Sequence, residues 1–394
     1  MRAFWGKARL DECAEIVSGA TPSTSVEAHW DGEICWATPK DLSNLEGTYI
    51  SDTSRRLTRT GLESCGATIL PAGSVLFSSR APIGHVAVNT VPMATNQGFK
   101  SFIPHPDALD AKFLYWWLRT KRSYLQNLGN GATFKEVSKA TVSRIEIPLP
   151  SLKEQQRIAE ILDRAEALRA KRRAALAQLD TLIESIFIDL FGDPVTNAKG
   201  FERTRLDSLV RKDDTINYGV VQPGTDCEGG VPLIRVADLR DSKVSQGGLK
   251  RISLAIERAY KRSRLRGDEI LISCVGSIGI VALADESMKG FNIARAVARV
   301  PLAETTDRIF MASYLRSEFV QRYFHNELRT VSQPTLNIKQ ISETVVVLPP
   351  LELQREFALR VSAVEKLKTT QRASLAELDN LFASLQHRAF RGEL

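Results

Sequence analysis

The sequence predicts an α+β chain: two mixed α/β globular units separated by two long antiparallel coiled-coil helices, related by a pseudo-twofold internal repeat. Three observations predict it. Residues 149–191 align with residues 348–390 without a gap, 16 of the 43 pairs being identical. Each of these segments runs about 40 residues without Gly or Pro, with apolar residues at alternating spacings of three and four. The chain ahead of each segment carries short β-branched runs bounded by Gly and Pro.

The first globular unit contains strand-like runs at 74–79, 85–89 and 145–149, and a helical stretch at 111–128 with an aromatic face of Phe113, Trp116 and Trp117. The first long helix follows the Leu149-Pro150 junction, where proline forces an extended entry. Its apolar seam is Ile158, Leu162 and Ala165, then Leu176, Leu179, Ile183, Ile186 and Leu190. The second unit repeats the strand-like runs at 269–273, 281–284 and 344–348. It repeats the helical stretch at 308–328, with Phe310, Tyr314, Phe319 and Tyr323. VLFSSRAPIGHVAV (75–88) echoes ILISCVGSIGIVAL (270–283), and WATPKDL (36–42) shares its closing Asp-Leu with LIRVADL (233–239). The second long helix repeats the seam at Phe357, Val361, Val364, Leu375, Leu378, Phe382, Leu385 and Ala389. In both helices the seam fails at the same place, Arg169/Arg172 and Lys368/Gln371. A shared polar gap marks a local unwinding, an approaching chain, or basic stems leaving the seam for water. Two such helices pair most simply antiparallel, with a globular unit at each end of the rod.

Composition narrows the function. The 394 residues exceed a single small module, and 43 % apolar with 25 % charged residues is a globular balance. The net charge is +7. It divides unevenly: +2 over 1–150, −1 over 151–195, +5 over 196–347 and +1 over 348–394. Positive charge therefore belongs to the globular units, where a nucleic acid would be met, and the neutral helices suit protein. The five cysteines form no C-x-x-C pair, which argues against a disulfide framework or zinc cluster. No apolar run is long enough for a membrane span and no signal core opens the chain, so a cytoplasmic protein with no membrane contact is expected.

Catalytic motifs are missing from the sequence. It has no G-x-x-x-x-G-K-[ST] or G-x-G-x-x-G loop, no N-P-P-Y-type tetrapeptide, and no H-x-x-x-H or H-E-x-x-H pair. Pro106-Asp107 and Asp110-Ala111-Lys112 look nuclease-like, but the acids are too close to converge on one cation, and Asp110 suits helix capping. A binding protein without its own metal or cofactor is expected, not an enzyme.

IPLPSLKEQQRIAEIL (147–162), VVLPPLELQREFALRV (346–361), QPTLNIKQISETVVVLPP (333–350) and the ending SLQHRAFRGEL resemble the specificity (S) subunit of Type I restriction–modification systems. GATFKEVSKATVSRIEIPLP (131–150) departs from its counterpart, so the two recognition domains differ in sequence. The resemblance implies target-recognition domains at 1–147 and 196–346 and conserved helices at 148–195 and 347–394. It also implies double-stranded DNA read as a bipartite site, with two methyltransferase subunits and restriction subunits as partners. S-adenosylmethionine, and ATP with Mg, would then belong to those partners. The competing reading is a structural coiled-coil scaffold with globular ends and no sequence-specific DNA binding.

Candidate DNA readers are Lys40, Arg55, Arg56, Arg80, Lys135, Arg235, Arg240, Lys261, Arg262 and Asn337, cationic or amide side chains near Gly-rich turns and the Asp-Leu motif. Arg and Asn match guanine and adenine edges bidentately, whereas Lys more often meets phosphate. Candidate partner-docking residues on the helices are Arg164, Arg169, Arg172, Arg173, Lys368 and Gln371.

Overall fold

The computed structural model describes residues 5–80, 82–130, 135–240, 242–328 and 334–394. The chain forms two compact units, Met1–Ala174 with Arg372–Leu394 and Ala175–Gln371. Both long helices are continuous, Leu152–Phe191 (the central helix) and Leu351–Ala389 (the C-terminal helix). The division falls within each, so each unit is built from its own domain and half of both helices.

In unit 1 the strands are, in order, β1 (Gly6–Arg9), β2 (Ala14–Ser18), β3 (Trp30–Ala37), β4 (Tyr49–Ile50), β5 (Arg56–Leu57), β6 (Val75–Phe77), β7 (Val86–Asn89), β8 (Ala94–Thr95), β9 (Lys100–Pro104) and β10 (Glu146–Leu149). The main sheet has the order β2-β9-β6-β7-β4. A smaller sheet has the order β5-β3-β8, and β1 pairs antiparallel with β10. Besides short helices at Leu10–Cys13 and Arg59–Cys65, unit 1 has helices α1 (Pro39–Ser43), α2 (Ala111–Thr120), α3 (Arg122–Asn127) and α4 (Lys139–Ser143). The continuous helix expected over 111–128 breaks at Lys121, and Leu125 of the second piece turns into the core. Asp110 caps α2 by accepting from the Phe113 N–H at 2.9 Å, the capping role its position predicted.

The expected aromatic face of α2 is core: Phe113, Trp116 and Trp117 are all buried. Ile158 and Leu162 of the central helix pack on this core, together with Phe382 and Ala389 of the C-terminal helix. Trp116 meets the Phe382 ring edge-on at 5.6 Å, and Phe113 lies 5.3 Å from Phe390. Arg157 donates to the Leu394 carbonyl at 3.0 Å, and further along Arg169 donates to Asp379 at 2.7 Å. The helix halves in unit 1 therefore run antiparallel, as the seam predicted.

Unit 2 repeats the plan with β11 (Glu202–Arg205), β12 (Asn217–Tyr218), β13 (Val231–Ile234), β14 (Leu239–Arg240), β15 (Lys243–Val244), β16 (Lys250–Ile252), β17 (Ile270–Ser273), β18 (Val281–Leu283), β19 (Asn292–Ile293), β20 (Val297–Val300) and β21 (Val345–Leu348). Its sheets have the orders β12-β20-β17-β18 and β16-β13-β19, and β11 pairs with β21 as β1 pairs with β10. Helices α5 (Arg308–Arg316), α6 (Glu318–Asn326) and α7 (Ile338–Ser342) lie between β20 and β21. Here too the expected long helix is broken, at Ser317, whose hydroxyl caps α6. Phe191 and Phe187 of the central helix pack with Phe310 and with Phe357 of the C-terminal helix, at centroid distances of 4.9–6.4 Å. Among the described residues no helix is long and apolar enough to cross a membrane.

Candidate nucleic-acid interface

Four separate chain segments meet at one edge of unit 1, held by backbone hydrogen bonds. Asn96 N donates to Ala37 O at 3.0 Å, Ser79 N to Gly98 O at 2.8 Å, and Val137 N to Ser79 O at 3.0 Å. Unit 2 repeats the stitching: Ala294 N to Ile234 O at 2.9 Å, Cys274 N to Ala296 O at 2.8 Å, and Leu336 N to Cys274 O at 2.9 Å. A Cβ at Gly98 would fit tightly, 3.0 Å from Asn96 Oδ1 and 3.3 Å from Pro39, whereas unit 2 carries Ala296 at the equivalent place.

The cluster gathers Lys40, Arg80 and Lys135 from three parts of unit 1. Lys40 and Lys135 are exposed. Arg80 is half-buried, with Glu136 3.8 Å away, and Glu136 also takes the buried Lys100 at 3.1 Å. In unit 2 the corresponding segments carry Arg235 and Asn337. Both are partly committed locally. Arg235 pairs twice with Asp238 at 3.0 Å, and Asn337 is the N-cap of α7. The cluster also presents Gln97 and Arg295, both exposed and at matching places between the stitched residues. Sequence reasoning passed over these two. The available signal was their location in the short turns Asn96-Gln97-Gly98 and Ala294-Arg295-Ala296 directly before a strand. Residues 131–134 and 329–333, including the first residues of the compared 131–150 and 333–350 stretches, lie outside the described residues.

The remaining candidates lie on other elements. Arg55 stacks over the Trp30 ring at 3.5 Å, beside β5, and Arg56 pairs with Asp52 at 2.8 Å. Arg240 belongs to the β14–β15 ribbon, where its Nε donates to Ala237 O. Lys261 and Arg262 are exposed on a 3-10 turn joined to β12 by a hydrogen bond from Asn217 to Arg262 O.

The Asp-Leu echo is structural. Asp41 accepts from Thr38 N, Thr38 Oγ1 and Ser54 N at 2.5–2.9 Å, while Leu42 is buried. Burial pushes the Asp41 carboxyl up, but these hydrogen bonds outweigh it and hold the carboxyl below its ordinary range. Asp238 and Leu239 repeat this arrangement, with Asp238 accepting from Arg235 N at 2.8 Å.

On the helices, the two seam gaps are filled by equivalent ion pairs. Arg169 reaches Asp379 at 2.7 Å, also pairs with Glu166, and lies 4.3 Å from the Phe382 ring centre. Lys368, 6 % exposed, reaches Asp180 and Glu365 at 2.6 Å each. Burial pulls the Lys368 ammonium down, but both carboxylates more than offset it and raise it above the ordinary value. Arg164 and Arg173 are exposed and pair with Glu160 and Glu166 of their own helix; Arg172 and Gln371 are intermediate in exposure. The helices also expose leucines at repeat-equivalent positions: Leu168 and Leu367 at 55 % and 53 %, Leu182 and Leu381 at 42 % and 53 %. Among the described residues no group of His, Cys, Asp and Glu is placed to hold a metal ion.

The profile of the Type I restriction modification DNA specificity domain matches twice, over residues 4–178 and 210–380. The chain belongs to this family. Among its relatives are the Type I restriction enzyme MjaIX specificity subunit of Methanocaldococcus jannaschii, 28 % identical over 93 % of this chain and 88 % of that one, and the EcoBI specificity subunit of Escherichia coli, 30 % identical over 77 % and 70 %. The crystal structure of the Type I system S subunit from M. genitalium shares the fold with a TM-score of 0.58 at 16 % identity, over 98 % of this chain and 96 % of that one. Family membership thus gives the internal repeat its meaning, since each copy is a DNA specificity domain with its own loop cluster.

Proposed function

We propose that this chain is the non-catalytic DNA sequence-specificity subunit of a Type I restriction–modification complex, each unit reading one half of a bipartite site. The observation that carries the reading is the twice-built loop cluster. The same three backbone hydrogen bonds recur in both units, while the side chains they present differ: Lys40, Gln97, Arg80 and Lys135 in one, Arg235, Arg295 and Asn337 in the other. A constant frame with variable donors suits two readers with different targets, because base edges are discriminated by side-chain donors and acceptors. Gln97 and Arg295 match adenine and guanine edges respectively. Arg55, Arg56, Arg240, Lys261 and Arg262 are suited to the phosphate backbone, which positions the protein.

Methyltransferase subunits are the partners that the helices would hold, and restriction subunits would join through that complex. Leucines exposed in equivalent pairs support two copies of one partner, each meeting the same face. Arg164 and Arg172, one turn before and one turn after Leu168, flank it on that face. Methyl donor and nucleotide chemistry would lie on the partners.

The test is methylome sequencing of cells carrying the chain with its methyltransferase. Arg295→Ala should relax one half-site by ~1–3 kcal/mol of discrimination and leave the other intact, and Gln97→Ala should do the converse. Equal loss at both halves would overturn the assignment of one reader per unit.

A further inference from the structure

Unit 1 contains an open surface cleft of about 480 Å³ beside the β1–β10 ribbon, lined from α2, α3 and α4 and the turns that follow them. That volume lies in the range of small-molecule sites. Tyr124 and Leu128 supply its accessible apolar wall, with Trp117 and Ile145 buried beneath, and Lys121 and Arg144 stand exposed at its margin. Lys7 and Glu146, which also line it, neutralise each other at 3.4 Å. The cleft is thus left with two uncompensated cations over an aromatic and aliphatic floor. The Trp117 indole N–H is buried and has no acceptor among the described residues.

The repeat explains why this place is open. By its distance from the helix cap, Trp117 corresponds to Tyr314 in unit 2. There the Tyr314 hydroxyl accepts from Val347 N at 3.1 Å and donates to Val345 O at 3.3 Å, stitching α5 to the edge of β21. In unit 1 the residue matching Val347 is Pro148, paired to Lys7 as Val347 is paired to Arg203. Proline offers no N–H, so the stitch cannot form. Arg144, which follows α4, is matched by Glu343, which follows α7. The cationic margin therefore belongs to unit 1 alone.

We propose that this cleft is a binding site for one small planar organic anion, its aromatic body against Tyr124 and Leu128 and its acid group between Lys121 and Arg144. A planar ring fits the aromatic floor, and a charge-assisted hydrogen bond to Arg144 supplies orientation. The site needs neither the loop cluster nor the long helices.

Titration calorimetry of the full chain with 2-naphthoate, and with 2-naphthylmethanol as its neutral counterpart, tests this. The expected result is saturable binding of one 2-naphthoate per chain, with the alcohol about tenfold weaker. Arg144→Gln and Lys121→Gln, both at exposed positions, should each weaken 2-naphthoate by about the same factor and leave the alcohol unchanged. Thermal melting establishes that the variants fold. Failure to saturate, two molecules per chain, equal affinity for the alcohol, or binding indifferent to both substitutions would each overturn the proposal.

Discussion

Gln155 and Gln354 are identical across the repeat and fully buried one turn into their helices. Gln155 accepts from Asp110 N at 2.8 Å and donates to Ala108 O and Pro150 O at 2.9 Å. Gln354 accepts from Asp307 N at 2.9 Å and donates to Pro349 O at 2.7 Å. Each amide ties the start of a long helix to the capped start of α2 or α5. Gln155→Leu leaves buried backbone groups unpaired, at ~1–3 kcal/mol for each, so the urea midpoint should fall without loss of helix content by circular dichroism. The identity of these glutamines was legible in the sequence; their role was not, because their partners lie some 45 residues away. Asp41 gives a prediction in pH. Its carboxyl is held below the ordinary value, so its stabilisation is present at neutral pH and is lost as pH falls from about 4 through the lower folded value. Asp41→Asn should therefore lower stability at pH 7 and flatten its acid dependence. An unchanged slope in acid melting curves would refute this.

At the scale of elements, the long helices were the most legible feature. About 40 residues without Gly or Pro, with a three-four seam, leave few alternatives. The breaks at Lys121 and Ser317 were not legible, because their cause is tertiary: the turn swings Leu125, and in the other unit Val320 and Phe324, into the core. The loop clusters escaped for a similar reason, since backbone groups from four distant segments build them, and a short turn ahead of a strand does not by itself show that the segments meet. The seam gap showed in the sequence, but the meaning of its geometry came from the partners. Asp180 and Asp379 are equivalent residues, and each meets the cation of the opposite copy's gap, Lys368 and Arg169. Because the Lys368 ammonium is nearly enclosed, its pairing with Asp180 should matter more than the exposed pairs. A double-mutant cycle of Lys368→Met and Asp180→Asn, followed by urea unfolding, should give a coupling of ~0.5–3 kcal/mol. Zero coupling would mean that Glu365 alone satisfies the lysine. The exposed leucines on the same helices lead to a different outcome. Leu168→Asp with Leu367→Asp should leave melting unchanged and weaken methyltransferase capture in size-exclusion chromatography.

For the molecule as a whole, chain order and structural unit do not coincide. Unit 1 ends its sequence run at Ala174 and is completed by Arg372–Leu394, whereas unit 2 is the uninterrupted stretch Ala175–Gln371. The returning segment supplies core, not decoration. Phe382 and Ala389 are buried in the cluster that contains Phe113 and Trp116, and Phe390 and Leu394 pack against it. Burying a Phe side chain is worth roughly 1.5–3 kcal/mol, so losing two of them with their aliphatic neighbours removes several kcal/mol, a large share of a domain's margin. Unit 2 draws its helical contacts from Phe187, Phe191, Phe357 and Val361, all before Gln371. A chain stopped after Gln371 should thus keep unit 2 and destabilise unit 1, although every residue of the first recognition domain is still present. Differential scanning calorimetry should show one transition moved to lower temperature and one retained. Hydrogen exchange should assign the loss of protection to α2 and the β2-β9-β6-β7-β4 sheet. Equal protection in that sheet with and without the final segment would show that the first domain completes its core without it.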